Sequence, residues 1–195
     1  MHHHIYHTHA FVIGSRNTGE ANKMFTLYTR ELGLVNATVQ SIRLSKSKLR
    51  FSLQDLSYAK VDLVRGREMW RVTSATNINT FPLVRSNKSS LFLIARVGKL
   101  IERLCSGEES NEKIFDDFIQ ALYLLDVPSV EDHYREALEL HLVLRLMDSL
   151  GYIGDSTMLS SYLESSFDTL KIDSLLKERQ SIIAHINKAL NESQL

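Results

Sequence analysis

The hydrophobic period changes near Pro82, and that change limits the folds open to this chain. Before it, apolar residues recur at every second position in short segments broken by turn residues, the pattern of strands with one buried face. HTHAFVIGSR reads as a first strand, closed by the turn signal Arg16-Asn17-Thr18-Gly19. NKMFTLYTR is a second, with Met24, Thr26 and Tyr28 on one face and Phe25 and Leu27 on the other, ended by Gly33 after a short turn. GLVNATVQSIRL, rich in β-branched residues, is a third. LQDLSYAKVDLVRG is a fourth, and the turn Arg65-Gly66-Arg67 leads into EMWRVTSATNI, a fifth. Five short antiparallel strands in about 80 residues predict a small closed barrel, because a sandwich usually needs seven or more.

After Pro82 the period lengthens to three and four, which is helical. Ser89 or Ser90 is expected to cap a helix whose apolar face is Leu91, Ile94, Ala95, Gly98, Ile101 and Cys105. Ile114, Phe115, Phe118, Ile119, Leu122 and Leu125 mark a second, ending before Pro128. Ser129 opens a third, with Glu131 and Asp132 in its first turn, a stripe of Leu138, Leu142, Arg145, Leu146 and Leu150, and Gly151 as its C-terminal cap. Ile172, Leu176, Ile183, Ile186 and Leu190 read as the stripe of one last helix. The expected class is α+β in two domains. A five-stranded barrel occupies residues 1–80 and an all-α domain residues 81–195, with the boundary at the Asn79–Pro82 link.

The chain is electroneutral, with 23 basic and 23 acidic side chains, but its halves are not. Through Thr80 eleven Lys and Arg stand against five Asp and Glu; from Phe81 onward twelve stand against eighteen. Opposite signs suggest different partners, and the barrel half suits a polyanion. SIRLSKSKLR, residues 41–50, holds Arg43, Lys46, Lys48 and Arg50 and no acid. In an extended segment Lys46, Lys48 and Arg50 project to one side. Arg16, Lys23, Arg30, Arg65, Arg67 and Arg71 add to them within the same half. A groove lined this way neutralises phosphates and binds with a steep salt dependence. Tyr28, Phe51, Tyr58 and Trp70 lie close in sequence to these cations. Bases stack on such rings where they are exposed; the alternative is that they fill the barrel.

Catalytic signals are weak. The chain has no P-loop, no Gly-rich dinucleotide turn and no nucleophile elbow, and GSRNTGE reads as a strand-to-strand turn. Its one cysteine, Cys105, falls on an apolar helix face, the place of a structural thiol, and excludes both an internal disulfide and a cysteine-based zinc site. His2, His3, His4, His7 and His9 cluster, which raises a metal-dependent hydrolase or nuclease against the plainer reading of an exposed terminus or tag remnant. No acidic metal cluster in the barrel supports the hydrolase. His133, His141 and His185 stand alone and read as packed or surface residues. The longest apolar stretch, LFLIARVGKLI, is cut by Arg96 and Lys99, and no secretory signal opens the chain, so no membrane is expected and a cytoplasmic location is.

The order of these features resembles the bacterial recombination mediator family RecO. That family shows a strand, a G-E-x-[DN]-[KR] turn, an apolar strand, T-R-E-x-G, and later an S-[KR]-L-R-like segment before L-Q. Gly19, Glu20, Asn22, Lys23, Thr29, Arg30, Glu31, Gly33, Ser47, Leu49, Arg50, Leu53 and Gln54 fit it, in order, within residues 8–80. Leu146–Tyr152 is similar to the family's helix ending in L-x-x-x-G-Y. The resemblance implies an N-terminal OB-fold and a helical C-terminal domain. It further implies binding of single- and double-stranded DNA, annealing of strands coated by single-stranded-DNA-binding protein, and work with RecR in loading the recombinase RecA, in the nucleoid. It also implies a pocket for a partner's acidic tail, which Arg96, Lys99 and Arg103 along one helix are placed to rim. Two departures stand out. GYIGDSTMLSSYLE lacks the four cysteines that bind zinc in many members, so no cofactor is expected, and the family's glycine after the third strand is Ser41 here. An RNA-binding OB protein with a helical interaction domain is the alternative, because stacking and phosphate contacts do not by themselves select DNA.

Overall fold

The computed structural model describes residues 4–105, 107–154, 157–163, 167 and 172–192. Five strands, β1 (Ile5–Thr18), β2 (Asn22–Thr29), β3 (Gly33–Val39), β4 (Tyr58–Arg65) and β5 (Trp70–Asn79), close a barrel in the order β1-β2-β3-β5-β4. All neighbours are antiparallel except β3 and β5, which pair in parallel only at Ala37–Trp70 and Thr38–Arg71. A five-stranded closed barrel of this order is the OB-fold. Alternation does the work. Ala10, Val12, Phe25, Leu27, Val35, Ala37, Val39, Ala59, Val61, Leu63, Trp70 and Val72 point inward and form one buried core.

The first strand is longer than its apolar pattern suggests. A bulge between Val12 and Gly14 inserts one residue and lets β1 continue to Thr18, so the turn is only Gly19–Ala21. The β3–β4 connection holds a short helix, α1 (Leu49–Ser52), packed on β5. Leu53, just beyond it, is buried in the barrel core and Leu49 packs against that core. The chain enters this connection through Ser41 at φ +56, a left-handed conformation. Here the resembling family carries glycine, which takes that conformation without steric cost.

The remaining elements are α2 (Pro82–Ser86), α3 (Lys88–Leu104), α4 (Glu112–Leu125), α5 (Asp132–Ser149), α6 (Thr157–Leu163), α7 (Ile172–Lys177) and α8 (Arg179–Glu192). Contacts divide the chain into two compact units, residues 1–81 with 98–115, and residues 82–97 with 116–195. The barrel unit therefore includes the end of α3 and the start of α4, a return of the chain that a single cut at Pro82 does not describe.

Several helix ends differ from expectation for local reasons. The side chain of Asn87, not Ser89 or Ser90, accepts from the Ser90 amide and caps α3. Ser129 stands at φ +59, and α5 starts only at Asp132. The last apolar stripe is split at Glu178 into α7 and α8. Gly151, at φ +77, ends α5 as expected: its amide donates to Asp148 and that of Tyr152 to Met147, the paired bonds of a Schellman cap. In the helical unit Arg145 and Asp117 form a bidentate ion pair with both bonds at 2.7 Å.

Candidate nucleic-acid interface

Strand register sorts the predicted cations by barrel end. Arg16 pairs with Met24, Met24 with Thr38, and Thr38 with Arg71, so Arg16 and Arg71 share one outer row across four strands. Lys23 pairs with Asn17 and Val39 at the same end, and Arg65 faces Trp70 there, with Arg67 in the turn between β4 and β5. Arg43 is held to the β1–β2 turn: its amide donates to Ala21 and its guanidinium to the carbonyl of Gly19, at 3.0 and 3.2 Å. The connection carrying Lys46, Lys48 and Arg50 leaves the barrel from that end, after Val39. Arg30 does not join them; it follows β2 at the opposite end.

Lys46, Lys48 and Arg50 are exposed, but not by the expected route. Residues 40–47 run through turns, and Arg50 lies in α1, so no extended strand aligns the three side chains. Leu49 and Leu53, four apart and both packed on the core, are the signal that marks this helical turn. Among the described residues no ion pair engages Lys46, Lys48, Arg50, Arg67 or Arg71. Glu20 and Glu68 stand in the turns beside them, so the end is cation-rich without being purely basic.

Two of the predicted cations are already neutralised. The segment 107–112 folds back on the barrel: the Leu34 amide donates to the Gly107 carbonyl at 3.2 Å, and Tyr28 donates to that of Asn111 at 3.4 Å. Within this segment Glu108 pairs with Arg65, and Glu112 with Arg30 at 2.8 Å. Nothing in GEESNEK distinguishes such a clasp from an acidic loop. Arg16 lies against the Met24 sulfur and Lys23 donates to Ser15, contacts weak enough to yield to a phosphate.

The aromatic candidates separate sharply. Tyr28 is 1% exposed, beneath the clasp and beside Phe115, and burial together with the neighbouring Cys105 pushes its phenol upward. Trp70 is 4% exposed; its indole N–H donates to Glu108 at 2.9 Å, Tyr6 packs edge-on to it and the Arg65 guanidinium sits over its ring. Neither ring is available to a base. Trp70 shares its strand face with Val72, which is also buried in the barrel core. Tyr58 is half-buried, hydrogen-bonded to His9 and packed on Phe115. Phe51 alone stands out, 61% exposed, with the Arg50 guanidinium 4.5 Å from its ring centre.

A shallow groove of about 400 Å³ crosses the outer face of β1, β2 and β3. Gly14, Arg16, Met24, Thr26 and Asn36 line it, with Lys99 and Glu102 of α3 at its side. Thr26 donates to Asn36 across it at 3.2 Å. The β2–β3 face with the β1–β2 and β4–β5 turns is where OB-folds hold oligonucleotides.

Other candidates fall elsewhere. Arg96 is committed to both oxygens of Glu139, Lys99 pairs with Glu102 at 2.5 Å, and Arg103 is exposed; Arg96 belongs to the second unit, Lys99 and Arg103 to the first. His7 pairs with Asp62 at 2.6 Å, whereas His2 and His3 lie outside the described residues. Among the described residues no three His, Cys, Asp or Glu side chains gather to hold a metal, and no helix is long and apolar enough to cross a membrane. Within GYIGDSTMLSSYLE, residues 155, 156 and 164 lie outside the described residues.

The barrel is thus an OB-fold with a cation-rich end, followed by a helical unit. Residues 1–81 match the family model described as Recombination protein O N terminal, so this part of the chain is similar to that domain. The chain is 31% identical to DNA repair protein RecO of Pelotomaculum thermopropionicum over 121 residues, 62% of this chain and 47% of that one. With the RecO of Heliobacterium modesticaldum it shares 30% over 149 residues, 76% and 52% of the two chains, and with that of Dehalococcoides mccartyi 29% over 140 residues, 72% and 55%. The resemblance read from the sequence is therefore shown, and the chain spans about half the length of these curated relatives.

Proposed function

We propose that this chain is a non-catalytic, DNA-binding mediator of recombinational repair. The observation that carries the reading is the register: it brings Arg16, Lys23, Arg65, Arg67 and Arg71 to one barrel end, from which the Lys46–Arg50 connection departs. Cations gathered at one end replace condensed counterions along a phosphate backbone, on single or double strands alike. The names of its relatives, DNA repair protein RecO, support the biological setting. On this reading the protein anneals complementary strands covered by single-stranded-DNA-binding protein and, with RecR, assists RecA loading, working in the cytoplasm at the nucleoid without a cofactor. The domains proposed for these tasks are the barrel over residues 1–80 for DNA and residues 81–195 for partner proteins.

An annealing assay tests it. Two complementary oligonucleotides precoated with single-stranded-DNA-binding protein are mixed with and without this chain, and duplex formation is followed by energy transfer. Acceleration is expected. DNA binding with no acceleration reduces the chain to a generic OB binder, and no binding at 50 mM salt removes the proposal.

A further inference from the structure

We propose that Phe51, with Arg50 beside it, is a stacking platform for an unpaired base, which makes the β3–β4 connection the element that prefers single-stranded over double-stranded DNA. The inference rests on the reading that the cation-rich barrel end binds DNA, and it names the strand state that this end selects. The Phe51 ring is 61% exposed on a short helix next to cations that make no ion pair among the described residues. It is not a loose side chain. Leu49 and Leu53 anchor α1 to the barrel core on either side of it, so the ring is presented by a fixed backbone. Arg50 lies over the ring at 4.5 Å, and Lys46, Lys48 and Arg50 carry no ion pair among the described residues. A polyanion with exposed π-faces complements this combination in both charge and shape: phosphates meet Lys46, Lys48 and Arg50 while a base stacks on the ring. Duplex DNA supplies the phosphates but keeps its bases stacked on each other. The other rings in the barrel that sequence proximity nominated are buried or half-buried, so the stacking term falls on Phe51 alone.

The test compares wild type, Phe51→Ala and Phe51→Trp in the full chain, with a labelled oligothymidine and a duplex of equal length at one fixed salt. Phe51→Ala is expected to weaken single-strand binding about 5- to 150-fold and duplex binding less than about twofold. Phe51→Trp should keep single-strand affinity, and its emission should be quenched by the oligothymidine and not by the duplex; Trp70, the native tryptophan, is buried and gives a constant background. Equal losses on both DNA forms, or no loss, overturn the platform while leaving DNA binding by the barrel standing. Loss of binding to phosphatidylglycerol vesicles in Phe51→Ala, with single-strand affinity unchanged, also overturns it and makes the ring a membrane contact. Absence of DNA binding in wild type is a different failure, that of the function itself.

Discussion

Gly33→Ala should release the acidic clasp from the barrel, because Gly33 is where the two touch backbone to backbone. Gly33 stands at φ +67, and a Cβ added there would lie 2.7 Å from the carbonyl carbon of Glu109. No side-chain rotation relieves that approach. The left-handed backbone alone costs alanine about 1 kcal/mol or slightly more. If residues 107–112 lift away, three hydrogen bonds go with them: Leu34 to Gly107, Tyr28 to Asn111 and Trp70 to Glu108. At about 1 kcal/mol each, these bring the loss to roughly 4 kcal/mol. The exposed pairs Arg65–Glu108 and Arg30–Glu112 add a fraction of 1 kcal/mol at most. With a urea m-value of about 2 kcal/mol/M the unfolding midpoint should fall by about 2 M. Trp70 is the sole tryptophan and loses its Glu108 partner, so its emission should shift to the red before any urea is added. A midpoint within about 0.5 M of wild type with unshifted emission would mean that the backbone conformation alone matters and that the clasp is not seated as described.

Two further perturbations probe the barrel. Ser41→Gly relieves a left-handed serine at φ +56 while keeping its amide bond to Asn22, and should stabilise by about 0.5–1 kcal/mol, read as a higher urea midpoint. Burial pushes the Cys105 thiol up to about 11, against a smaller opposing hydrogen bond from Tyr28. Because the folded state holds this proton more tightly than the unfolded state, the stability linked to it is complete below about pH 8.5 and is lost as pH rises toward 11. A Cys105→Ala variant should lack that component of the decline, and native Cys105 should react with a disulfide reagent at pH 8 about 100-fold more slowly than in urea.

The barrel was legible because its strands bury one face: Phe25 and Leu27, Val61 and Leu63, and Trp70 and Val72 alternate with polar partners, and alternation is what the pleat imposes. What escaped has physical causes. A bulge obeys no period, so the continuation of β1 through Asn17 and Thr18, residues that read as a turn, left no trace in hydrophobicity. Helices as short as α1, α2 and α6 present too few turns for a stripe. The site was legible as a charge and not as a geometry. Composition marked the basic half, but only the register shows that Arg30 lies at the wrong end and that Arg16 and Arg71 share a row. Tyr28 sits on the outward face of β2 and is buried all the same, because a segment some eighty residues away covers it; no local pattern reports such a return of the chain.

The central claim, that the cation-rich barrel end holds DNA through its phosphates, is tested most directly by the salt dependence of single-strand affinity. Five cations that make neither an ion pair nor a side-chain hydrogen bond among the described residues, Lys46, Lys48, Arg50, Arg67 and Arg71, predict a slope of log K against log salt of about −3.5, or a loss of about a hundredfold between 50 and 200 mM. Arg16, Lys23 and Arg43 steepen it if their hydrogen bonds yield to phosphate. Replacing Lys46, Lys48 and Arg50 with Glu, at exposed positions that leave the core intact, should flatten the slope to about −1.4 or less and weaken binding at 50 mM salt at least a hundredfold. A triple variant that folds and keeps both the wild-type affinity and the wild-type slope would contradict the claim and move the DNA site off this end of the barrel.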